Sequence, residues 1–131
     1  MTDNMIELGK RAVACPKWRW MPGMRTLDAM RVIHDPDRWP DRPCAIREGG
    51  WIDTAPPRPL TDDLPDLSDP ATLGCLLALV REAWGRDDLG ASRYKERWCV
   101  ERWCGDIRVF QYGTRGDTEA EALVAVLESA P

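Results

Sequence analysis

RYKERWCVERWCGDIRVFQYG, residues 93–113, decides whether this chain is all helix or built on a sheet. Wound as a helix at about 100° per residue, it scatters Tyr94, Trp98, Cys99, Val100, Trp103 and Cys104 around the whole circumference and leaves no apolar face. Read as a hairpin, it makes sense. Gly105-Asp106 is a good two-residue turn with glycine first. One face then carries Trp98, Val100, Arg102, Cys104, Ile107 and Val109, and the other Cys99, Glu101, Trp103, Arg108 and Phe110. The first face is apolar but for Arg102 and is expected to meet the core; the second is expected to face outward.

The stretch also repeats itself, with Glu-Arg-Trp-Cys at 96–99 and again at 101–104. The offset of five is odd, so a strand sends the two copies to opposite faces. Trp98 goes inward and Trp103 outward, opposite Arg108, a cation–π pairing of about 0.5–1 kcal/mol. The duplication therefore needs no chemical purpose. A zinc site is the sharper alternative, but Cys99 and Cys104 on one strand stand ~16 Å apart, too far to share an ion. Two more ligands would have to come from Cys15, Cys44, Cys75 or His34 on separate elements. Packed, reduced cysteines are the plainer account of the odd set of five, and no metal is assigned.

Outward from the hairpin, SDPATLGCLLALVREAWG (68–85) is a helix with both ends marked. Asp69 is the N-cap, Pro70 takes the first helical position, and Gly85 supplies the left-handed C-terminal cap. Leu73, Leu76, Leu77, Val80 and Trp84 form its stripe, Cys75 is packed there, and Gly74 and Ala78 are expected to admit another backbone. DTEAEALVAVLESA (117–130) is a second helix, with Thr118 and Glu121 as a capping box and Ala120, Leu123, Val124 and Leu127 as the buried face. Residues 3–15 make a third, with a stripe of Met5, Leu8, Ala12 and Cys15 widened by Ile6 and Val13 and stopped by Pro16. MPG then reads as a turn, and Met30–His34 as extended.

Seven of the eleven prolines fall between Pro36 and Pro65, which excludes long regular elements there. CAIREGGWID (44–53) fits a short hairpin turning at Glu48-Gly49-Gly50, with Ile46 and Ile52 as its apolar positions. Residues 54–67 read as an extended, polyproline-like arm, either docked or loose. These elements predict a single α+β domain over 1–131. Its small, mainly antiparallel sheet is drawn from residues near 30–34, 45–53, 95–104 and 106–112, with two or three helices packed on one face.

At 131 residues, 44% apolar and 31% charged, the chain can build one core and is not globally disordered. No apolar run approaches the ~20 residues of a membrane span. MTDNMIELGKRAV does not read as a signal peptide, so a cytoplasmic setting is expected. The net charge of −4 disfavours direct nucleic-acid binding, although residues 1–34 are locally basic, with six Lys/Arg against three Asp/Glu. Catalytic chemistry is not in view. The lone His34, beside Asp35 and Asp37, is the start of a dyad at most, TDDLPDLSD lacks the glycine and closing glutamate of a calcium loop, and neither LGASRYK nor GTRGDTE has a phosphate-loop ending. No catalytic residue and no cofactor are assigned.

Seven tryptophans against one phenylalanine and two tyrosines remain to be explained. Most are expected to fill the core. PKWRWMPGMR (16–25) is the best recognition candidate, because Trp18, Arg19, Trp20 and Arg25 can present an aromatic–guanidinium surface. Trp39 and Trp103 complete the set of candidate binding residues. The plainer reading makes Trp18 or Trp20 a cap on the core.

Three segments, ACPKWRWMPGM, DLSDPATLGCLLALVREAWG and TEAEALVAVLESA, resemble a recurrent kind of uncharacterised small phage and prophage protein. Together they cover about a third of the chain. The resemblance implies a non-enzymatic accessory protein made in the cytoplasm of a bacterial host, binding a host protein or protein complex. Inhibitors of host defence systems, anti-CRISPR proteins among them, are of this kind. The alternatives are a small-nucleotide binder or sponge that stacks its ligand on tryptophan beside Arg19 and Arg25, and the structural zinc protein.

Overall fold

A computed structural model describes residues 3–47, 57–94, 96–104, 107–109 and 115–131, with the side chains of Tyr94, 102–104, 107–109 and Arg115 left out of the description. In chain order the elements are α1 (Asp3–Ala14), β1 (Met30–Ile33), β2 (Cys44–Arg47), β3 (Arg58–Pro59), α2 (Pro70–Trp84), β4 (Leu89–Tyr94), β5 (Arg97–Cys104), β6 (Ile107–Val109), β7 (Arg115–Gly116) and α3 (Glu119–Glu128). The fold is α+β.

The strands form two antiparallel sheets rather than the single one expected. One runs β1-β2-β3; in the other, β5 pairs β4 on one side and β6 and β7 on the other. In each sheet the middle strand has both edges paired. Nothing is left on β5 for β1 or β2. The decisive hairpin has the expected register, with Cys104 opposite Ile107, Trp103 opposite Arg108 and Arg102 opposite Val109. Of the hairpin expected at 44–53, the first strand is present as β2, which pairs β3 of the Pro-rich segment through Cys44↔Pro59 and Ala45↔Arg58; the proposed turn and Ile52 lie outside the described residues.

α3 is the centre of the molecule. It packs on β4, β5 and β7, while α2 packs on α3 and β4, and α1 on α3. Ala120, Leu123, Val124 and Leu127 are buried as expected, and Ala122 and Val126 are buried too, as suits a helix covered on several sides. Its N-terminus is held by Thr118 Oγ1, which accepts from Glu121 N at 3.1 Å, while Glu121 Oε2 accepts from Asp117 N at 2.9 Å. α2 has the caps its sequence announces: Asp69 accepts from Thr72 N, and Gly85 sits at φ 64°. Its inward face differs in detail, with Thr72, Leu76, Leu79 and Val80 buried. Among the described residues nothing stands within 4 Å of a Cβ added at Gly74, so none of their backbones approaches it closely. The close approach is instead at Gly116, where an added Cβ would stand 2.7 Å from Glu121 Cβ.

One face of β5 meets the core as expected, through Val100 and, partly, Trp98. The other face is not exposed: Cys99 is buried and Glu101 is 0% accessible. Ser92 Oγ of β4 donates a short hydrogen bond to Glu101 Oε1. Gly90, directly opposite Glu101, has no side chain to compete for that space.

The Pro-rich arm is docked from Pro57 to Leu67. Leu27 N donates to Leu64 O and Asp66 N to Arg25 O, and Pro65, Asp66 and Leu67 are buried. Arg25–Asp66 at 2.6 Å and Arg58–Asp28 at 3.0 Å fasten this strap to the rest of the fold; Arg58–Asp63 at 2.8 Å braces it internally, and Arg31–Asp69 at 2.9 Å ties β1 to the cap of α2 just beyond it. The strap crosses α1 at Gly9, where an added Cβ would be in van der Waals contact with Leu64 and Pro65 at 3.5 Å. Val32 of β1 donates its backbone N–H to Met24 O and accepts from Gly23 N, both at 2.8 Å, and Val32 and Met24 join the same core as α1, α2, α3, β4 and β5. Among the described residues, no helix is long and apolar enough to cross a membrane.

Candidate functional site

Where α1 ends, the chain turns under Pro16, with Trp18 N donating to Cys15 O at 3.0 Å. The alternation Trp18-Arg19-Trp20 then separates ring from charge. The two indoles meet edge to face, centroids 5.4 Å apart and planes at 82°, an arrangement that contributes about 0.5–1.5 kcal/mol beyond the area it buries. Arg19 reaches the other way to Glu82 of α2 at 2.6 Å. Both partners of that ion pair are mostly exposed, so it orients the segment more than it stabilises it. The hydrogen bond from Arg19 holds the Glu82 carboxyl below its ordinary range.

Trp20 borders two grooves. One, of about 430 Å³, runs between the Trp18–Trp20 pair and Thr61–Leu64 of the strap, with Val13 of α1 contributing. The other, of about 320 Å³, is formed by Trp20 and Arg19 against Asp41, Arg42, Pro43 and Leu60. Arg42 extends this surface, its guanidinium carbon 4.9 Å from the centre of the Trp39 ring. Trp18, Arg19 and Trp20 are thus brought together, and Trp39 is linked to them through Arg42. All five tryptophans at 18, 20, 39, 84 and 98 are half-buried. Trp84 is anchored, donating Nε1–H to Val126 O at 2.9 Å, and Trp98 packs against the core.

The other two candidates fall elsewhere. Arg25 is a staple: its guanidinium pairs with Asp66, and its backbone N–H donates to Thr72 Oγ1 at 2.8 Å. Trp103 is opposite Arg108 in the sheet, but its side chain lies outside the described part of the structure, as does Trp51. Sequence reasoning missed the strap residues Leu60–Leu64 that form the far walls of both grooves. The signal was present in the paired carboxylates Asp62-Asp63 between two leucines, but only docking of the strap gives it meaning.

The first groove is electronegative. Arg58 binds Asp63 through two hydrogen bonds and Asp28 through one. The hydrogen bonds from Arg58 outweigh burial and lower the Asp63 carboxyl's pKa. Asp62 is exposed and, among the described residues, makes no ion pair. The groove is therefore lined by two carboxylates, Asp62 and Asp63, of which Asp63 is paired with Arg58. His34 is exposed. Burial pushes the Cys15, Cys44 and Cys75 thiols up, keeping them protonated. Cys99 and Cys104 lie on the same extended strand, and among the described residues no three His, Cys, Asp or Glu side chains are grouped to hold a metal ion. Comparison with protein-family models, with curated proteins and with solved structures finds no match for this chain.

Proposed function

We propose that this chain is a non-enzymatic binding protein that engages a macromolecule of a bacterial host through the ridge formed by Trp18 and Trp20. The carrying observation is the pair of adjoining, half-buried indoles standing between two grooves. Tryptophan at such a place offers large apolar area at little entropic cost, which is why it dominates the energetics of many interfaces. Arg42 over Trp39 extends the surface with a second guanidinium–aromatic unit. A phage-type accessory role, with a host defence complex as target, is the setting suggested by the three resembling segments; a cytoplasmic location goes with it.

The nucleotide reading has less support. It needs Arg19 and Arg25 for phosphate, and both are engaged within the fold, by Glu82 and Asp66. The larger groove beside the indoles carries aspartates that repel an anion.

The test is affinity capture from bacterial lysate with wild type, Trp20→Ala and Lys10→Ala, the last at an exposed residue that lines neither groove, each first shown to melt cooperatively. A partner retained by wild type and Lys10→Ala and lost by Trp20→Ala supports the proposal. Equal capture by all three, or no specific partner, counts against it.

A further inference from the structure

We infer that the groove between the Trp18–Trp20 pair and Thr61–Leu64 receives a cationic side chain, a lysine or arginine projecting from a basic segment of the partner protein. This rests on the binding reading above and names the chemistry of its contact. Two indole planes at 82° form a corner, and the faces of indole attract a cation more strongly than other aromatic rings do. The rim adds formal charge. Asp62 and Asp63 line the groove; Arg58 pairs with Asp63, while Asp62 is exposed and free of any ion pair among the described residues. Leu64 and Val13, which also line the groove, suit the methylene stem of a long basic side chain whose head stays near the carboxylates. At about 430 Å³ the groove has room for such a side chain. The net charge of −4 steers a basic partner toward the molecule before contact.

The experiment observes the indole N–H signals of the ¹⁵N-labelled protein while an acetylated, amidated pentalysine peptide is added. Pentaarginine, pentaglutamate and adenosine monophosphate are run in parallel. The inference expects the Trp18 and Trp20 signals to shift saturably with pentalysine, pentaarginine or both, and not with the anions. Asp62→Asn, an exposed and nearly isosteric change, should weaken binding about two- to fivefold. Trp20→Ala should weaken it about tenfold or more, and added salt should weaken it further. Silence of both indoles toward both basic peptides overturns the inference, as does an affinity unchanged in Asp62→Asn. Shifts with adenosine monophosphate alone overturn it in favour of a nucleotide. If Trp20-dependent capture from lysate persists while the basic peptides are silent, the binding reading stands and the cation assignment falls. If the peptides bind as expected but no partner is captured, the groove chemistry stands and the macromolecular reading fails.

Discussion

Replacing Asp66 with asparagine tests the arginine–aspartate staples that hold the strap and hence the far wall of both grooves. The Asp66 side chain is 4% accessible and that of its partner Arg25 is 32% accessible, at 2.6 Å. Asp66 Oδ1 also accepts from Ser68 N and Ser68 Oγ, and asparagine's carbonyl preserves those bonds while removing the charge. Breaking a fully buried pair costs about 3–5 kcal/mol, but water reaching Arg25 reduces this to about 2 kcal/mol. For a chain of this length that corresponds to a fall of about 8 °C in Tm. The effect also has a pH signature. Burial favours a higher pKa for the Asp66 carboxyl, but hydrogen bonds from Ser68 and Arg25 outweigh it and set the pKa below the ordinary value. Its stabilisation is therefore complete above the unfolded value of about 3.9 and is lost as pH falls through the folded one. Urea denaturation at pH 7 and at steps down to pH 3 should show a gap between wild type and Asp66→Asn that closes with acid. A gap below about 0.5 kcal/mol at pH 7, or one that acid leaves unchanged, would refute the staple.

Other perturbations probe separate joints. Gly116→Ala forces a Cβ to within 2.7 Å of Glu121 Cβ and 2.8 Å of Ala122 N, so α3 must shift at its start; a loss of about 1–3 kcal/mol is expected in thermal or chemical melts. Ala29 sits at φ 65°, where an L side chain is strained, so Ala29→Gly should stabilise by about 0.5–1 kcal/mol; destabilisation would contradict the turn geometry. Trp18→Phe and Trp84→Phe both shrink a ring, but only Trp84 donates Nε1–H to a carbonyl, Val126 O, whereas Trp18 Nε1 is buried without an acceptor among the described residues. Trp84→Phe should therefore cost about 1 kcal/mol more by chemical denaturation, and equal costs would undo the distinction.

Local signals were readable and long-range ones were not. Asp69, Pro70 and Gly85 bounded α2 because caps act on their own backbone within a turn. The Gly105-Asp106 spacing fixed the β5–β6 register because side-chain alternation allows no one-residue slip. β4 was missed: LGASRY has little apolar alternation beyond Leu89, and its strand character comes from pairing along β5. Glu101 was expected outside because charge favours water; its burial depends on Ser92 and on the room left by Gly90, both in that unrecognised strand. Arg25 was read as a grip for a ligand because its partner, Asp66, lies far along the chain. The same blindness left open whether the strap docks, and hid the grooves that its docking forms. The tryptophan pair was visible in WRW, but the acidic wall facing it was not.

The most direct test of the account is the affinity of a captured partner, measured calorimetrically for wild type and for Trp20→Ala at matched stability. Removing the indole from between the two grooves is expected to raise Kd by at least about tenfold, the scale of one interfacial hot spot. An unchanged Kd would mean that the partner docks elsewhere and that Trp18 and Trp20 only close the edge of the core.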